Sequence, residues 1–217
     1  MFGPNTIFSD EVNMTFTHRD LKFFELYKEV TDRFKHVFDL EHYDILLIPG
    51  SASVGMEAII SSVNTSINVV GVEGTFKTRW TDVCENYNKL DEHGELNLYC
   101  RLETSCSTPN NIQKDKPCIV DAVSSFPYYD IPDNAVIFCT CLNKLLGSYI
   151  GVSVVGVKKD EGWKYLKTES NQSYLNLYRY RIYGIKGQTP STFPIYILEH
   201  FNKFPQMKFI MRSEERR

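Results

Sequence analysis

The fold is decided by one stretch of sequence, Ala135-Val-Ile-Phe-Cys-Thr-Cys-Leu-Asn-Lys-Leu-Leu-Gly-Ser-Tyr-Ile-Gly151. An apolar, strand-like run ends in small polar residues, and Lys144 follows as the one charged residue between Asp133 and Lys158. Such a lysine is either solvated on a turn or held in a pocket. The stretch alone favours the surface turn, because lysines are rarely buried. A pocketed lysine has a lowered pKa and acts as an amine nucleophile toward carbonyl groups. The residues at the ends of the other predicted strands decide between the turn and the pocket.

Length, composition and charge indicate one domain without a nucleic-acid or membrane partner. The chain has 217 residues, of which 42% are hydrophobic, and a formal net charge of −3. This length supports one domain with a substantial core, and the charge gives no basic footprint for nucleic acid. No apolar run reaches the roughly 18 residues of a membrane-spanning helix, and the N-terminus has no secretory pattern. We therefore expect a cytoplasmic protein with one α/β domain over residues 1–203 and a solvated tail over residues 204–217.

The six cysteines form neither a disulfide framework nor a metal-binding pattern. Cys100, Cys118 and Cys139 lie in apolar, strand-like runs, which is typical of reduced, buried thiols. The pair Cys139-x-Cys141 has no second pair and no convergent histidines. No metal site is therefore expected.

The order of apolar runs predicts strands that alternate with helices or crossovers. The predicted strands are residues 43–50, 67–72, 96–102, 118–121, 135–139 and 150–157, and the predicted helices begin near residues 18, 54, 78 and 194. This alternation favours an α/β fold, a three-layer sandwich with a mostly parallel sheet. Residues 163–183 are rich in tyrosine and show no clear strand alternation, so no element is assigned to them.

Several predicted strands end in residues that carry chemistry. These residues are Ser51, Ser53, Phe76, Thr104, Asp121 and Lys144. Ligands of parallel sheets bind beyond the carboxyl ends of the strands, so we expect these side chains to lie along one edge. The turn Gly50-Ser-Ala-Ser53 precedes a helix, and its backbone N–H groups suit a phosphate.

Each of these residues also has a purely structural interpretation. Asp121 can cap a helix, Phe76 can belong to the core, and the serines can form only a tight turn. Their combination favours a binding site, because a lysine, a carboxylate, an aromatic ring and an anion-binding turn are what pyridoxal 5′-phosphate requires.

Six short motifs follow one another along the chain. They are Gly50-Ser-Ala-Ser-Val-Gly-Met-Glu-Ala58, Glu73-Gly-Thr-Phe-Lys-Thr-Arg-Trp80, Glu103-Thr-Ser105, Val120-Asp-Ala-Val-Ser-Ser125, Asn143-Lys-Leu-Leu-Gly147 and Thr189-Pro-Ser-Thr192. Their order resembles that of class V, fold-type I pyridoxal-phosphate aminotransferases, above all the branch of serine–pyruvate, alanine–glyoxylate and 2-aminoethylphosphonate–pyruvate aminotransferases. The resemblance implies the fold of that family's large domain and a homodimer with active sites shared between protomers.

The resemblance also implies a role for each matched residue. Lys144 would form a Schiff base with the cofactor's aldehyde, and Asp121 would pair with its pyridine nitrogen. Phe76 would stack on the ring, and Thr104 would lie near the ring hydroxyl. The residues implied to hold the phosphate are Ser51, Ala52, Ser53, Asn143 and, from the neighbouring subunit, Thr189.

The sequence departs from the family's pattern on the substrate side. It is shorter than the family's chains, so we expect a compact form without the small C-terminal domain and its carboxylate-binding arginine. The candidates to replace that arginine are Arg179, Arg181 and Arg212. Lys77 stands where the family commonly has glycine.

These observations leave three functions open. The first is an aminotransferase that moves an amino group from a small amine or amino acid to a 2-oxo acid such as pyruvate or glyoxylate. The second is a pyridoxal-phosphate-dependent decarboxylase or lyase that acts on an unusual amine. The third is a non-catalytic, dimerising descendant of the family. We favour the first because Lys144 and Asp121 are both present.

Overall fold

The computed structural model of the protein describes residues 16–169, 171 and 173–203. Its helices are α1 (Leu21–Val37), α2 (Ala52–Ser62), α3 (Thr75–Asn86), α4 (Leu177–Ile185) and α5 (Ile195–Lys203). Its strands are β1 (Tyr43–Pro49), β2 (Ile67–Val70), β3 (Leu96–Cys100), β4 (Leu102–Glu103), β5 (Thr108–Pro109), β6 (Cys118–Asp121), β7 (Ala135–Cys141) and β8 (Val152–Lys158). The predicted tail, residues 204–217, and the candidate Arg212 lie outside the described residues.

The described strands form a central sheet in the order β1-β8-β7-β6-β3-β2. Strands β2, β3, β6 and β7 pair in parallel, whereas β8 is antiparallel to both β7 and β1. Within this sheet β8 is therefore the one reversed strand, and the predicted, mostly parallel sheet is confirmed. Strand β8 is reversed because the connection over residues 142–151 is shorter than the dozen or so residues of a parallel crossover.

Helices cover both faces of the sheet, which confirms the predicted three layers. Helices α1 and α5 pack on one face, where Phe23 and Ile197 share a core with Leu47 of β1. Helices α2, α3 and α4 pack on the other face, where Met56 contacts a second core that contains Ile48. Leu47 and Ile48 enter different cores because successive side chains of a strand point to opposite faces.

Helix α4 lies in the region to which no element was assigned. Its N-terminus is capped by Asn176, whose side-chain oxygen accepts a hydrogen bond from the Arg179 backbone N–H at 2.7 Å. Leu177 and Tyr180 are buried against the second core. Tyrosines and arginines dominate this helix, so its apolar period is weak and contacts with β1 and α2 stabilise it instead.

None of the helices in the described part of the chain is both long enough and apolar enough to cross a membrane.

Candidate active site

A cavity of about 250 Å³ opens beyond the carboxyl ends of β1, β6 and β7. The predicted site residues that line it are Ser51, Ala52, Ser53, Phe76, Asp121, Asn143 and Lys144. They come from separate parts of the chain: the turn after β1, the first turn of α3, the end of β6 and the turn after β7. The edge of the sheet therefore brings most of the predicted site together.

Asp121 is the last residue of β6, and its side chain is buried beside the cavity. Its Oδ2 atom accepts a hydrogen bond from the Trp80 indole N–H at 2.8 Å, and its Oδ1 atom accepts one from the Val123 backbone N–H at 3.0 Å. Burial raises the pKa of Asp121, whereas the hydrogen bonds from Val123 and Trp80 lower it in part. The carboxylate is thus held in one orientation with its charge only partly compensated.

Lys144 lies in the turn that follows β7. A hydrogen bond of 3.0 Å from the Gly147 N–H to the Lys144 carbonyl oxygen closes this turn. Its Nζ atom donates a hydrogen bond to Ser124 Oγ at 2.7 Å and lies 5.8 Å from the centroid of the Phe76 ring. Within the described chain no carboxylate lies within ion-pair distance of this amine. The lysine is therefore in a cavity, not on a freely solvated turn.

Helix α3 presents three side chains to the cavity, Phe76, Arg79 and Trp80. Positions i, i+3 and i+4 of a helix share one face, which explains why these three residues act together. The Arg79 guanidinium lies 5.4 Å from the centroid of the Phe76 ring, and its NH1 atom donates to Ser53 Oγ at 3.2 Å. Helix α3 therefore connects the floor of the cavity, at Asp121, to the turn after β1.

That turn leads into α2 through Gly50, whose φ of +137° is rarely adopted by residues with a side chain. The Gly50 N–H donates to the Gly151 carbonyl oxygen at 2.8 Å and so fixes the start of the turn. Ser51 is the N-cap of α2, and its side chain makes no capping hydrogen bond. The first N–H groups of α2 therefore remain available at the cavity.

Glu103 caps the N-terminus of α3 from a different part of the chain. It is fully buried, and its Oε2 atom accepts hydrogen bonds from the backbone N–H groups of Phe76 and Lys77 at 3.0 and 3.1 Å. Its Oε1 atom accepts from the Ser105 hydroxyl at 2.6 Å. Burial tends to raise the pKa of Glu103, but these hydrogen bonds outweigh it and hold the pKa below the ordinary value.

Two predicted site residues do not line the cavity. Thr104 is exposed in the turn between β4 and β5, because β3 ends at Cys100 and the chain then forms a short hairpin. Thr189 lies in the loop between α4 and α5, and within the described residues its buried Oγ1 atom has no hydrogen-bond partner.

Arg179 and Arg181, the two candidates for a substrate carboxylate that lie among the described residues, do not line the cavity. The Arg181 Nε atom is 3.6 Å from an Asp44 carboxylate oxygen, and the Arg181 guanidinium lies 4.3 Å from the Trp163 ring centroid. The Arg179 guanidinium lies over the ring of Tyr174, 5.3 Å from its centroid. Among the arginines of residues 16–203 that the structure describes, Arg79 is the one that lines the cavity.

Sequence reasoning did not single out Arg79, Trp80 or Ser124 as site residues. All three lie inside quoted motifs, but their contacts join distant parts of the chain. The helical spacing of Arg79 and Trp80 from Phe76 is the signal that could have identified two of them.

The sequence matches no protein-family model and no curated protein. Solved structures, however, are similar to it in fold. A phosphoserine aminotransferase from Cytophaga hutchinsonii is 21% identical, with a TM-score of 0.74, over 87% of this chain and 62% of that protein. A phosphoserine aminotransferase from Trichomonas vaginalis with bound pyridoxal phosphate is 23% identical, with a TM-score of 0.71, over 89% and 62%.

A pyridoxamine–pyruvate aminotransferase from Mesorhizobium loti is 19% identical, with a TM-score of 0.76, over 91% of this chain and 60% of that protein. The chain shares the fold of these aminotransferases. The fold that the motifs implied is therefore confirmed. The chain spans less than two thirds of the length of each of the three proteins.

Proposed function

We propose that the protein is a pyridoxal-phosphate-dependent aminotransferase that moves an amino group from a small amine or amino acid to a 2-oxo acid such as pyruvate or glyoxylate. One observation carries the proposal: Lys144, Asp121 and Phe76 line the same cavity although they come from three different elements. An amine, a buried carboxylate and an aromatic ring in one cavity are the groups that this cofactor requires.

The cavity suits the cofactor in size and in its polar groups. Its volume of about 250 Å³ lies just below the roughly 300–1,000 Å³ that is usual for small-molecule sites, which limits it to a small ligand. Asp121 is buried, so an unpaired negative charge there is costly, and a protonated pyridine nitrogen would compensate it. The Lys144 amine is held by Ser124 without a carboxylate partner in the described chain, which leaves it available to a carbonyl group.

The position of each residue in the cavity gives it a separate proposed contact with the cofactor. Asp121 would hold the ring nitrogen, and Phe76 would cover the ring. The residues that would hold the phosphate are Ser51, Ala52, Ser53 and Asn143. When bound, pyridoxal 5′-phosphate supplies an aldehyde that condenses with amines and a ring that withdraws electrons from the amine-bearing carbon.

The chain's own groups then bind, orient and move protons. The Lys144 amine would take the proton from the amine-bearing carbon of the donor and deliver it to the carbon of the cofactor's aldehyde group, as a general acid–base group. The Ser124 hydroxyl orients that amine through the hydrogen bond of 2.7 Å. Asp121, fixed by Trp80 and Val123, would keep the ring nitrogen of the cofactor protonated and therefore positively charged.

The acceptor class is supported by the names of similar structures, one of which is a pyridoxamine–pyruvate aminotransferase. The roles of Thr104 and Thr189, the homodimer with shared sites and the cytoplasmic location stay predictions.

An absorbance titration tests the proposal directly. The purified protein is incubated with pyridoxal 5′-phosphate, and a panel of amino donors is added, each with pyruvate or glyoxylate. We expect a visible band from the lysine-bound cofactor, a shift of that band with one donor, and formation of the new amino acid. A band that no amine shifts would favour the non-catalytic descendant, and release of carbon dioxide or an elimination product would favour the decarboxylase or lyase. The absence of any band contradicts the proposal.

Lys144→Ala identifies the reactive amine. We expect this variant to lose the visible band and about 10²–10⁴-fold of the activity. The matched control is Lys77→Ala, which removes a lysine that pairs with Glu73 and does not line the cavity. Borohydride reduction followed by peptide mass spectrometry should place the cofactor on Lys144 in the wild-type protein, and a label on another lysine would contradict this assignment.

A further inference from the structure

Two helices begin at the edge of the cavity, and they differ in what occupies their N-termini. At α3 the Glu103 carboxylate accepts hydrogen bonds from the Phe76 and Lys77 N–H groups, so this end already has its anion. At α2 the Ser51 side chain makes no capping hydrogen bond. The N–H groups of Ala52 and Ser53 have no hydrogen-bond acceptor among the described residues. An anion that enters the cavity therefore finds free donors at α2 and none at α3.

Arg79 adds a positive charge at the open helix end. Its NH1 atom donates to Ser53 Oγ at 3.2 Å, and its guanidinium lies over the Phe76 ring, 5.4 Å from the centroid. A guanidinium offers five N–H donors, and the contact with Ser53 uses one of them. The remaining donors belong to a side chain that lines the same cavity as Ala52 and Ser53 in the first turn of α2.

The charges around the cavity leave Arg79 without an acidic partner. Lys144 and Arg79 are the basic residues among its lining side chains, and Asp121 is the acidic one. Asp121 receives its hydrogen bonds from Trp80 and Val123. No carboxylate of the described chain lies within 4.0 Å of the Arg79 guanidinium. An arginine that is held in place but has no carboxylate partner is a ready ligand for a phosphate group.

We propose that Arg79 is a ligand of the cofactor's phosphate group, which it binds together with Ser53 and the N-terminus of α2. This inference rests on the proposed function, since it names the phosphate of the same site, and it adds a residue that the motifs did not assign. Arg79 supplies positive charge at a site where the resemblance offers only backbone N–H groups, hydroxyls and an amide.

The experiment compares two cofactor forms that differ only in the phosphate. Binding of pyridoxal 5′-phosphate and of pyridoxal is measured by quenching of tryptophan fluorescence, since Trp80 lines the cavity. The variants are Arg79→Gln, which removes the charge, and Arg79→Lys, which keeps the charge but loses the planar guanidinium. The matched control is Lys77→Gln on the same helix, whose side chain pairs with Glu73 outside the cavity lining. Arg79 is exposed, so folding should tolerate these changes, and a thermal melt of each variant checks this.

We expect Arg79→Gln to weaken the binding of pyridoxal 5′-phosphate roughly tenfold to a hundredfold, as loss of a hydrogen bond to a charged group does. Pyridoxal binding should change less than about twofold, because no phosphate contact is lost. Arg79→Lys should fall between wild type and Arg79→Gln, and Lys77→Gln should match wild type. Equal weakening of both compounds would overturn the inference in favour of a role through Phe76. Unchanged cofactor binding with a raised KM for the amino donor would overturn it in favour of the substrate's anionic group.

A separate measurement distinguishes this inference from the proposed function. Inorganic phosphate is titrated into the wild-type and Arg79→Gln proteins and followed by phosphorus NMR line broadening. Broadening that only the wild type produces supports Arg79 as a phosphate ligand even if no visible cofactor band forms. Equal broadening by both proteins, or by neither, contradicts the inference whatever the cofactor titration shows.

Discussion

At the scale of single residues, Asp121 is the group that is most costly to bury in the cavity. An ionised carboxylate in the protein interior is strongly destabilising unless hydrogen bonds or charges compensate it. The N–H groups of Trp80 and Val123 provide two such hydrogen bonds, at 2.8 and 3.0 Å. Trp80 is therefore a positioning residue, because it orients the carboxylate and favours its ionised form.

Trp80→Phe should raise the pKa of Asp121 further, because one of its two donors is removed while its burial remains. The acid limb of the pH profile of kcat/KM should then move to higher pH, since the proposed function requires Asp121 as a carboxylate. We also expect about tenfold lower activity on the plateau, the cost of one lost hydrogen bond to a charged group.

Trp163→Phe is the matched control for that variant. The Trp163 indole N–H donates to Asp44 Oδ2 at 2.8 Å, but neither residue lines the cavity. Both variants thus lose an indole-to-carboxylate hydrogen bond and a similar volume. An equal shift of the acid limb in both variants, or none in Trp80→Phe, would refute the positioning role.

At the scale of elements, the N-terminus of helix α3 depends on a residue of strand β4. Glu103 is the last residue of β4, and it accepts the N–H groups of Phe76 and Lys77 while Ser105 holds its other oxygen. The cap therefore fixes the end of the helix that carries Phe76, Arg79 and Trp80. Loss of this cap should disturb both folding stability and the alignment of the cavity.

Glu103→Ala should lower the free energy of unfolding by about 1–3 kcal/mol at neutral pH, the range for lost caps and for buried groups left unpaired. Because the folded-state pKa of Glu103 is lowered, its stabilisation is fully present above the unfolded pKa of roughly 4.3. It is lost as the pH falls through the folded value. Urea unfolding at several pH values should therefore show the difference from wild type shrink in acid.

The control for the helix cap is Glu73→Ala, which removes an exposed partner of Lys77. Exposed ion pairs contribute little, typically about 0.2–1 kcal/mol, so this variant should stay close to wild type across the same pH range. A Glu103→Ala variant that is no less stable than Glu73→Ala would show that the cap does not stabilise α3.

The elements that sequence predicted well are those with strong local signals. Short apolar runs predicted every strand of the central sheet, and small polar residues after them located Lys144, Asp121 and the turn that begins at Ser51. The cavity followed from a general rule about the carboxyl ends of parallel strands. Neither step required knowledge of contacts between distant residues.

The features that sequence missed depend on such distant contacts. The sequence predicts one strand over residues 96–102 with Thr104 just after it, whereas β3 ends at Cys100 and a hairpin carries Thr104 to the surface; the role of Thr104 stays a prediction. Helix α4 has a weak apolar period and is stabilised by its neighbours. Trp80 bonds to Asp121, 41 residues away along the chain, and Arg79 bonds to Ser53, 26 residues away. Helical spacing could indicate that Trp80 and Arg79 share a face with Phe76, but it could not indicate which distant side chains they contact.

At the scale of the whole molecule, the sheet links two cores that share its strands. One core lies under α1 and α5, and the other under α2, α3 and α4. Because each central strand contributes side chains to both cores, neither helical layer can lose its packing while the other remains intact. The described part of the chain should therefore unfold as one cooperative unit, and binding in the cavity should stabilise all of it.

This coupling predicts the effect of the proposed cofactor on thermal unfolding. Trp80 and Trp163 both belong to the second core, so tryptophan fluorescence reports on that layer, whereas far-UV circular dichroism reports on both. At a cofactor concentration 100 times its Kd, binding to the folded state adds about 2.7 kcal/mol of stability. For a chain of this size that corresponds to a rise in Tm of roughly 5–11 °C. Both signals should move together by this amount, and Lys144→Ala should show a smaller rise at the same concentration. A shift in fluorescence without a matching shift in circular dichroism would mean that the layer of α2, α3 and α4 unfolds independently of the layer of α1 and α5.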